Sequence, residues 1–357
     1  MKSFTVSSLK YRPQRFDQVI GQEQITSTLE NAIKTNQLAQ ALLFCGPRGV
    51  GKTTCARILA KEINNIEDNS LNQDFAFNIF ELDAASNNSV DDIRKLNDQI
   101  RIPPQVGNFK VYIIDEVHML SLSAFNAFLK TLEEPPKHVI FILATTEKNK
   151  IIPTILSRCQ IYDFNRISVN KIHKFLVSLC ELKKLHFDDD ALIIIAQKAD
   201  GSMRDALSVF DRMVSFTSGN LTLNEVSKNL NILDHETFFS ISSLIKENKI
   251  PELLLEFNII MNNGYESLHF INGLANHIRM LILCKDQLTH ELLEVGINTQ
   301  NKYRDQSKSF DLNWLMEALS LIKNAEINHK SSINKRLNSE LCLMQLASLH
   351  FNGEKKN

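Results

Sequence analysis

Ala41-Leu42-Leu43-Phe44-Cys45-Gly46-Pro47-Arg48-Gly49-Val50-Gly51-Lys52-Thr53-Thr54 is the stretch on which the reading of the whole chain turns. Five apolar residues stop at a glycine, and Gly46 to Thr53 then match G-x-x-x-x-G-K-[ST] at every fixed position. A helical pattern from Lys52 to Ile63 follows, so the motif lies between a strand and a helix, the context a phosphate-binding loop requires. Glycines there let backbone N–H groups turn inward around phosphates, at a helix N-terminus whose dipole favours anions. Gly46, Pro47, Arg48, Gly49, Val50, Gly51, Lys52, Thr53 and Thr54 are therefore candidate nucleotide-binding residues. Lys52 is expected to reach the β and γ phosphates and the Thr53 hydroxyl to hold Mg²⁺.

Working outward, three more apolar runs read as strands: Phe77 to Leu82, Lys110 to Ile114 and His138 to Leu143. Unbroken β-branched and aromatic runs suit strands buried on both faces, and helical patterns between them suit parallel crossovers, so the first half reads as an α/β parallel sheet with flanking helices. Asn64 to Asp74 is polar and Asn-rich and reads as a surface excursion. The third strand runs into Asp115-Glu116, the partner that the loop predicts. Asp115 is expected to take the metal through water, and Glu116 to polarise an attacking water as general base. Adjacent carboxylates repel unless a cation is near, which the loop would bring; alone they would read as a solvated turn.

After Phe164 the strand signals fade. Leu192 to Ala196 is β-branched, but the aspartates 188–190 before it supply a helix cap, and the stretch reads as helix. Leu268, Ile271, Leu274, Ile278 and Leu281 recur at helical spacing, and Trp314 to Ile322 and Leu337 to Leu349 repeat the pattern, so the last third reads as all-helical. At 357 residues, two or three domains are expected. Hydrophobic residues at 43% and charged residues at 23% exclude wholesale disorder, and only 11 glycines and 8 prolines disfavour a turn-dense β fold. Net charge is 40 − 41 = −1, so any nucleic-acid contact must come from a local patch. The six cysteines lack zinc-ribbon or redox spacing and read as buried thiols of a reducing cytosol; no export signal or membrane span is read.

Ile114-Asp115-Glu116-Val117-His118-Met119-Leu120, followed by residues 124–136 ending Thr131-Leu132-Glu133-Glu134-Pro135-Pro136, resembles the AAA+ clamp-loader ATPases, and within them the gamma/tau family of bacterial DNA polymerase III. The resemblance includes Tyr11-Arg12-Pro13, Gly21-Gln22, the stretch 83–87, Ala144-Thr145-Thr146-Glu147, Ser157-Arg158-Cys159 and Gly201-Ser202-Met203-Arg204. It implies an ATP-hydrolysing motor subunit with a RecA-like core (1–168), a helical lid (169–231) and a helical collar (232–357) that holds subunits in a ring. Its implied cofactors are ATP and Mg²⁺. Its implied partners are further gamma copies, delta and delta-prime subunits, the sliding clamp and primer-template DNA, in the cytoplasm and away from membrane.

Residue by residue, the resemblance makes Thr146 a sensor of the γ-phosphate or attacking water, with Thr145 the one-register alternative and a strand-end cap the bland one. Arg158 looks like an arginine finger for the neighbouring subunit; read bare, it is a surface charge. Arg204 resembles a second sensor carried by the lid; its plainer reading is a helix ion pair. Tyr11, Arg12 and Pro13, with Val19 and Ile20, match the segment that wraps adenine. Asn87, Asn88, Ser89 and Arg94 fall where the family tracks DNA phosphates, and a solvated helix face is their alternative. The zinc-binding cysteines of many members are missing from Glu62 to Phe80, so no zinc site is expected. Ile333 to His350 resembles the collar's end, with Asn357 short of the long form's tail. The rival readings are a non-hydrolysing structural clamp-loader subunit and another AAA+ DNA-processing ATPase.

Overall fold

The computed structural model describes residues 6–64, 78–104, 107–230, 233–293 and 295–349. It divides into two compact units, Met1–Phe175 with Ala196–Arg212, and Leu176–Ile195 with Met213–Asn357.

In the first unit, helices α1 (Ser7–Lys10) and α2 (Glu23–Lys34) precede β1 (Ala41–Cys45) and α3 (Lys52–Ile63). β2 (Ile79–Asp83), α4 (Val90–Ile100), β3 (Lys110–Asp115), α5 (Leu122–Glu133), β4 (Val139–Thr145), α6 (Pro153–Leu156) and β5 (Gln160–Asp163) follow. The five strands are all parallel, in the order β2-β3-β4-β1-β5. β1 and β4 sit inside this sheet, and every residue of both is buried.

The continuous apolar runs are explained by how side chains divide between the faces. Leu43, Tyr112, Ile114, Phe141 and Leu143 meet Ile93 and Leu96 of α4 and Phe125, Phe128 and Leu132 of α5. Leu42, Phe44, Val111, Ile113, Ile140 and Ile142 meet Leu29 of α2 and Cys55, Ile58 and Leu59 of α3. Alternation along β1, β3 and β4 is therefore between two apolar faces, not between core and solvent. Phe128 and Phe141 pack edge to face at 5.1 Å.

Two differences from the sequence reading have plain causes. The fifth strand escapes notice because its apolar run is only Ile161 and Tyr162, between the exposed Gln160 and Asp163. Asn64 belongs to the core and not to a surface excursion. It is 5% exposed, its amide donates to Ala60 O, and its Oδ1 accepts from Phe109 N at 3.1 Å. The rest of that excursion lies outside the described residues.

Beyond β5 come α7 (Val169–Lys183), β6 (His186–Phe187), α8 (Asp189–Lys198), α9 (Met203–Phe216), β7 (Asn220–Leu221) and α10 (Leu223–Leu230). Leu192 to Ala196 is helical, as the preceding aspartates indicate. β6 and β7 form a two-residue parallel pair, too short to leave a pattern in sequence.

In the second unit, α11 (His235–Lys246), α12 (Ile250–Asn262), α13 (Ser267–Leu283), α14 (Ile297–Ser307), α15 (Leu312–His329) and α16 (Lys335–Ser348) enclose one core. Asp234, Asp311 and Asn334 cap α11, α15 and α16 with side-chain oxygens. Of the predicted stripe of α13, Ile271, Leu274, Ile278 and Leu281 are buried against Leu315, Ala318 and Ile322 of α15, and Leu268 is only partly buried. This core also holds a polar chain. His235 Nδ1 and His277 Nδ1 each lie 3.0 Å from the Tyr303 hydroxyl, and Ser242 Oγ lies 3.0 Å from His277 Nε2 and 3.1 Å from Gln306 Oε1. Burial pushes His277 down to about 3 and also lowers His235, so both imidazoles are neutral at pH 7.

Candidate nucleotide-binding site

The loop between β1 and α3 takes its shape from backbone that other residues resist. Gly46 and Gly49 have φ of +145° and +75°. A Cβ on Gly46 would lie 2.3 Å from Phe164 O, and one on Gly49 would lie 2.0 Å from Ser202 Oγ. Gly49 O also accepts from Met203 N at 3.0 Å, so the first turn of α9 rests on the loop. Gln22, 3% exposed, joins the loop to the exit of β5, donating to Val50 O and to Asn165 O.

Gly49→Ala is accordingly expected to push Ser202 and the start of α9 away from the loop, at a cost of about 1–3 kcal/mol. A thermal melt should show a lower Tm, and titration with a fluorescent ATP analogue should show at least about tenfold weaker binding. Unchanged melting and binding would contradict this account of the loop.

Lys52 is 6% exposed, and its Nζ donates to Gly46 O and Pro47 O, both at 2.7 Å. Burial lowers its pKa, while Glu116 and Asp115 act in the opposite direction. Thr53 Oγ1 donates to Asp115 Oδ2 at 2.7 Å, which ties the loop to the tip of β3. Asp115 Oδ1 accepts from Glu116 N at 3.0 Å. Glu116 itself has φ +49°, a conformation uncommon outside glycine, which turns the chain sharply after β3. Its Oε2 accepts from the Thr146 amide and hydroxyl at 3.3 and 3.0 Å.

Thr146 and Thr145 are thereby distinguished. Thr145 is fully buried, and its Oγ1 contacts His118 Nδ1 and Glu147 N, whereas Thr146 reaches the acidic pair.

A pocket of about 460 Å³ opens over this arrangement. Tyr11, Arg12, Pro13, Val19 and Ile20 line one part of it, and Arg48 to Thr54, Asp115, Glu116 and Arg204 another. Five cations face two carboxylates, Lys10, Arg12, Arg48, Lys52 and Arg204 against Asp115 and Glu116, so the cavity favours a polyanion. Burial, then Arg57 and Arg204, depress the pKa of Arg12, with Glu81 opposing. Gly46 and Pro47 do not line the pocket; their carbonyls hold Lys52 from behind.

Ile167, Phe175, Met203 and Leu207 complete an apolar side fit for a flat base. Sequence reasoning missed them because Phe175, Met203 and Leu207 look like ordinary helix core positions and Ile167 like an apolar residue of a connecting segment. It also missed His118 as a site residue, whose one signal is an imidazole two residues beyond the acidic pair.

Arg158 is not brought to this pocket. Its NH2 meets Glu133 Oε1 at 2.6 Å, and its NH1 donates to Thr154 O at 2.7 Å, on a partly exposed surface. Of the proposed DNA contacts, Ser89 caps α4 in a reciprocal box with Asp92, Asn87 donates to Asp83 O, Asn88 O accepts from Ser121 N, and Arg94 pairs with Asp91. Three of these bonds are local, and the fourth joins Asn88 to the N-cap of α5. Among the described residues no helix is long and apolar enough to cross a membrane.

Residues 21–168 match the family described as DNA polymerase III, delta subunit, and residues 171–219 that of the DNA polymerase III clamp loader subunit, ATPase lid domain. The chain is 36% identical over 348 residues to DNA polymerase III subunit tau of Bacillus subtilis, covering 94% of this chain and 62% of that protein. It is 34% identical over 363 residues to DNA polymerase III subunit tau of Escherichia coli, covering 98% and 56%. With DNA polymerase III subunit gamma of Buchnera aphidicola subsp. Baizongia pistaciae it shares 35% identity over 334 residues, covering 90% and 87%. The chain thus spans well under two thirds of the Escherichia coli tau protein but most of this gamma protein. Among solved structures, the Thermotoga maritima RuvB Holliday junction branch migration motor shares the fold, with a TM-score of 0.50 at 21% identity over 70% of this chain and 85% of that one.

Proposed function

Because the chain belongs to the DNA polymerase III gamma/tau subunit family, we propose that it is an ATP-hydrolysing motor subunit of a clamp loader, which opens a sliding clamp and loads it onto primed DNA. The observation that carries the reading is the unbroken link from Thr53 through Asp115 to Glu116 and Thr146 beneath one cationic pocket. A scaffold subunit without turnover would not need all four.

The triphosphate would lie along residues 46–54, with Lys52 exchanging the carbonyls of Gly46 and Pro47 for phosphate oxygens. Tyr11, Arg12, Val19 and Ile20 would enclose the base together with the apolar side of the pocket. Thr53 Oγ1 and Asp115 Oδ2, a hydroxyl and a carboxylate 2.7 Å apart, are hard oxygen donors that fit Mg²⁺, which when bound would neutralise charge on the phosphates. Glu116 would orient the attacking water and accept its proton, with Oε2 held by Thr146 and approached by His118. Arg204, at the start of α9 on the loop, would feel the γ-phosphate and tie its presence to the position of that helix. That Arg158 stays outside its own chain's pocket supports a role at a neighbouring subunit's phosphates.

The proposed organisation is a core over 1–168, a lid over 169–231 and a collar over 232–357. The partners are further gamma copies, delta and delta-prime subunits, the clamp and primer-template DNA, in the cytoplasm. The test is ATP turnover by the complex reconstituted with these partners. Turnover stimulated by clamp and primed DNA together is expected, and a rate indifferent to both would reject the proposal. Mixing Arg158→Ala subunits with Glu116→Gln subunits should slow hydrolysis where the two meet; no loss at mixed interfaces would reject the trans role.

A further inference from the structure

Glu116 has more holding it than the nucleotide reading uses. Its Oε2 takes both hydrogen bonds from Thr146 and also lies 3.5 Å from His118 Nδ1. The His118 side chain is 6% exposed, yet both ring nitrogens face polar groups. Nδ1 faces Thr145 Oγ1 at 3.0 Å as well as Glu116, and Nε2 faces Glu147 Oε1 at 3.5 Å. Glu147 is in turn fixed by Lys150 at 2.8 Å. With the proton on Nδ1 the ring can donate toward Glu116 Oε2 and Thr145 Oγ1, and so braces the acidic turn after β3 against the end of β4.

The brace meets a need set by the backbone. Glu116 sits at φ +49°, a conformation that persists only where its surroundings over-determine it. With Oε2 engaged by Thr146 and approached by His118, Oε1 is the carboxylate oxygen left for a water in the pocket that Glu116 lines. We infer that His118 is a positioning residue: it holds Glu116, through the Nδ1 side of its ring, in the one rotamer from which the carboxylate acts. This rests on the hydrolytic reading proposed above. It assigns the acidic turn a third member that lies outside the pocket lining.

The two ring nitrogens make the inference testable with three variants in the reconstituted complex. Asparagine can place an amide where Nδ1 lies and glutamine where Nε2 lies, while alanine places nothing at either. His118→Ala is expected to lower kcat about tenfold with KM for ATP and ATP-analogue affinity unchanged, since base geometry and not binding is disturbed. His118→Asn should stay within about threefold of the wild-type kcat, and His118→Gln should be as slow as the alanine variant.

A merely structural ring would show a different pattern, with loss following packing and appearing in KM or in a lowered Tm. Wild-type kcat in all three variants, equal loss in all three, rescue by glutamine better than by asparagine, or a loss confined to KM would each overturn the inference. Absence of stimulated turnover in the wild-type complex, measured alongside, would instead reject the functional reading itself.

Discussion

Replacing Lys52 by alanine should abolish ATP turnover, with kcat/KM falling on the order of 10³-fold or more in the reconstituted complex. The size follows from where the ammonium sits. Lys52 is almost wholly removed from water, and its charge is stabilised by two carbonyls and by Asp115 and Glu116 nearby. In such a place a charge acts on phosphate oxygens with little screening. Removing it also leaves the Gly46 and Pro47 carbonyls directed at an empty space, which would loosen the loop. Affinity for an ATP analogue and hydrolysis should therefore fall together. A variant that still bound and hydrolysed ATP at near wild-type levels would show that the pocket is not the site.

Glu116→Gln should separate those two quantities. The amide keeps an oxygen to accept from Thr146, so the turn after β3 should retain its shape and the nucleotide its affinity. The basicity is lost, and kcat should fall by about 10²–10⁴-fold, the range for removing a positioned general base. Rapid-quench measurement of a single turnover, beside equilibrium binding of ATP, gives both numbers. Equal losses in binding and turnover would make Glu116 a structural residue of the pocket and return the role of base to another group.

The proposed phosphate site was legible in sequence because its chemistry restricts residue type at short, fixed spacing. Gly49 must be glycine where Ser202 and φ +75° leave no room for a side chain, and Thr53 must carry a hydroxyl to reach Asp115. The same logic found β1, β3 and β4, whose two buried faces demand unbroken apolar runs, and the edge strand β2, whose Ile79, Phe80 and Leu82 are partly buried. It failed at β5 because Gln160 and Asp163 are exposed and leave an apolar run of only two residues, Ile161 and Tyr162. Ile167, Phe175 and Leu207 went unseen for the opposite reason: their residue types satisfy a core and a base-binding wall equally, and only the fold shows that a cavity lies beside them. The register of Thr145 and Thr146 lay between these cases. Both are hydroxyls at a strand end, and the pleat of β4 decides which one faces the acidic pair.

The polar chain of the second unit acts as a vernier for its helices. Leucine and isoleucine surfaces are nearly indifferent to a slide of one helix past another, because one methyl group replaces another. His235 and Ser242 on α11, His277 on α13, and Tyr303 and Gln306 on α14 are not indifferent. A displacement of one turn, about 5.4 Å, would strand several of these groups in a dry interior. Each group so stranded costs about 1–3 kcal/mol. Three helices that greasy packing alone would leave free to creep are thus held in a single axial alignment.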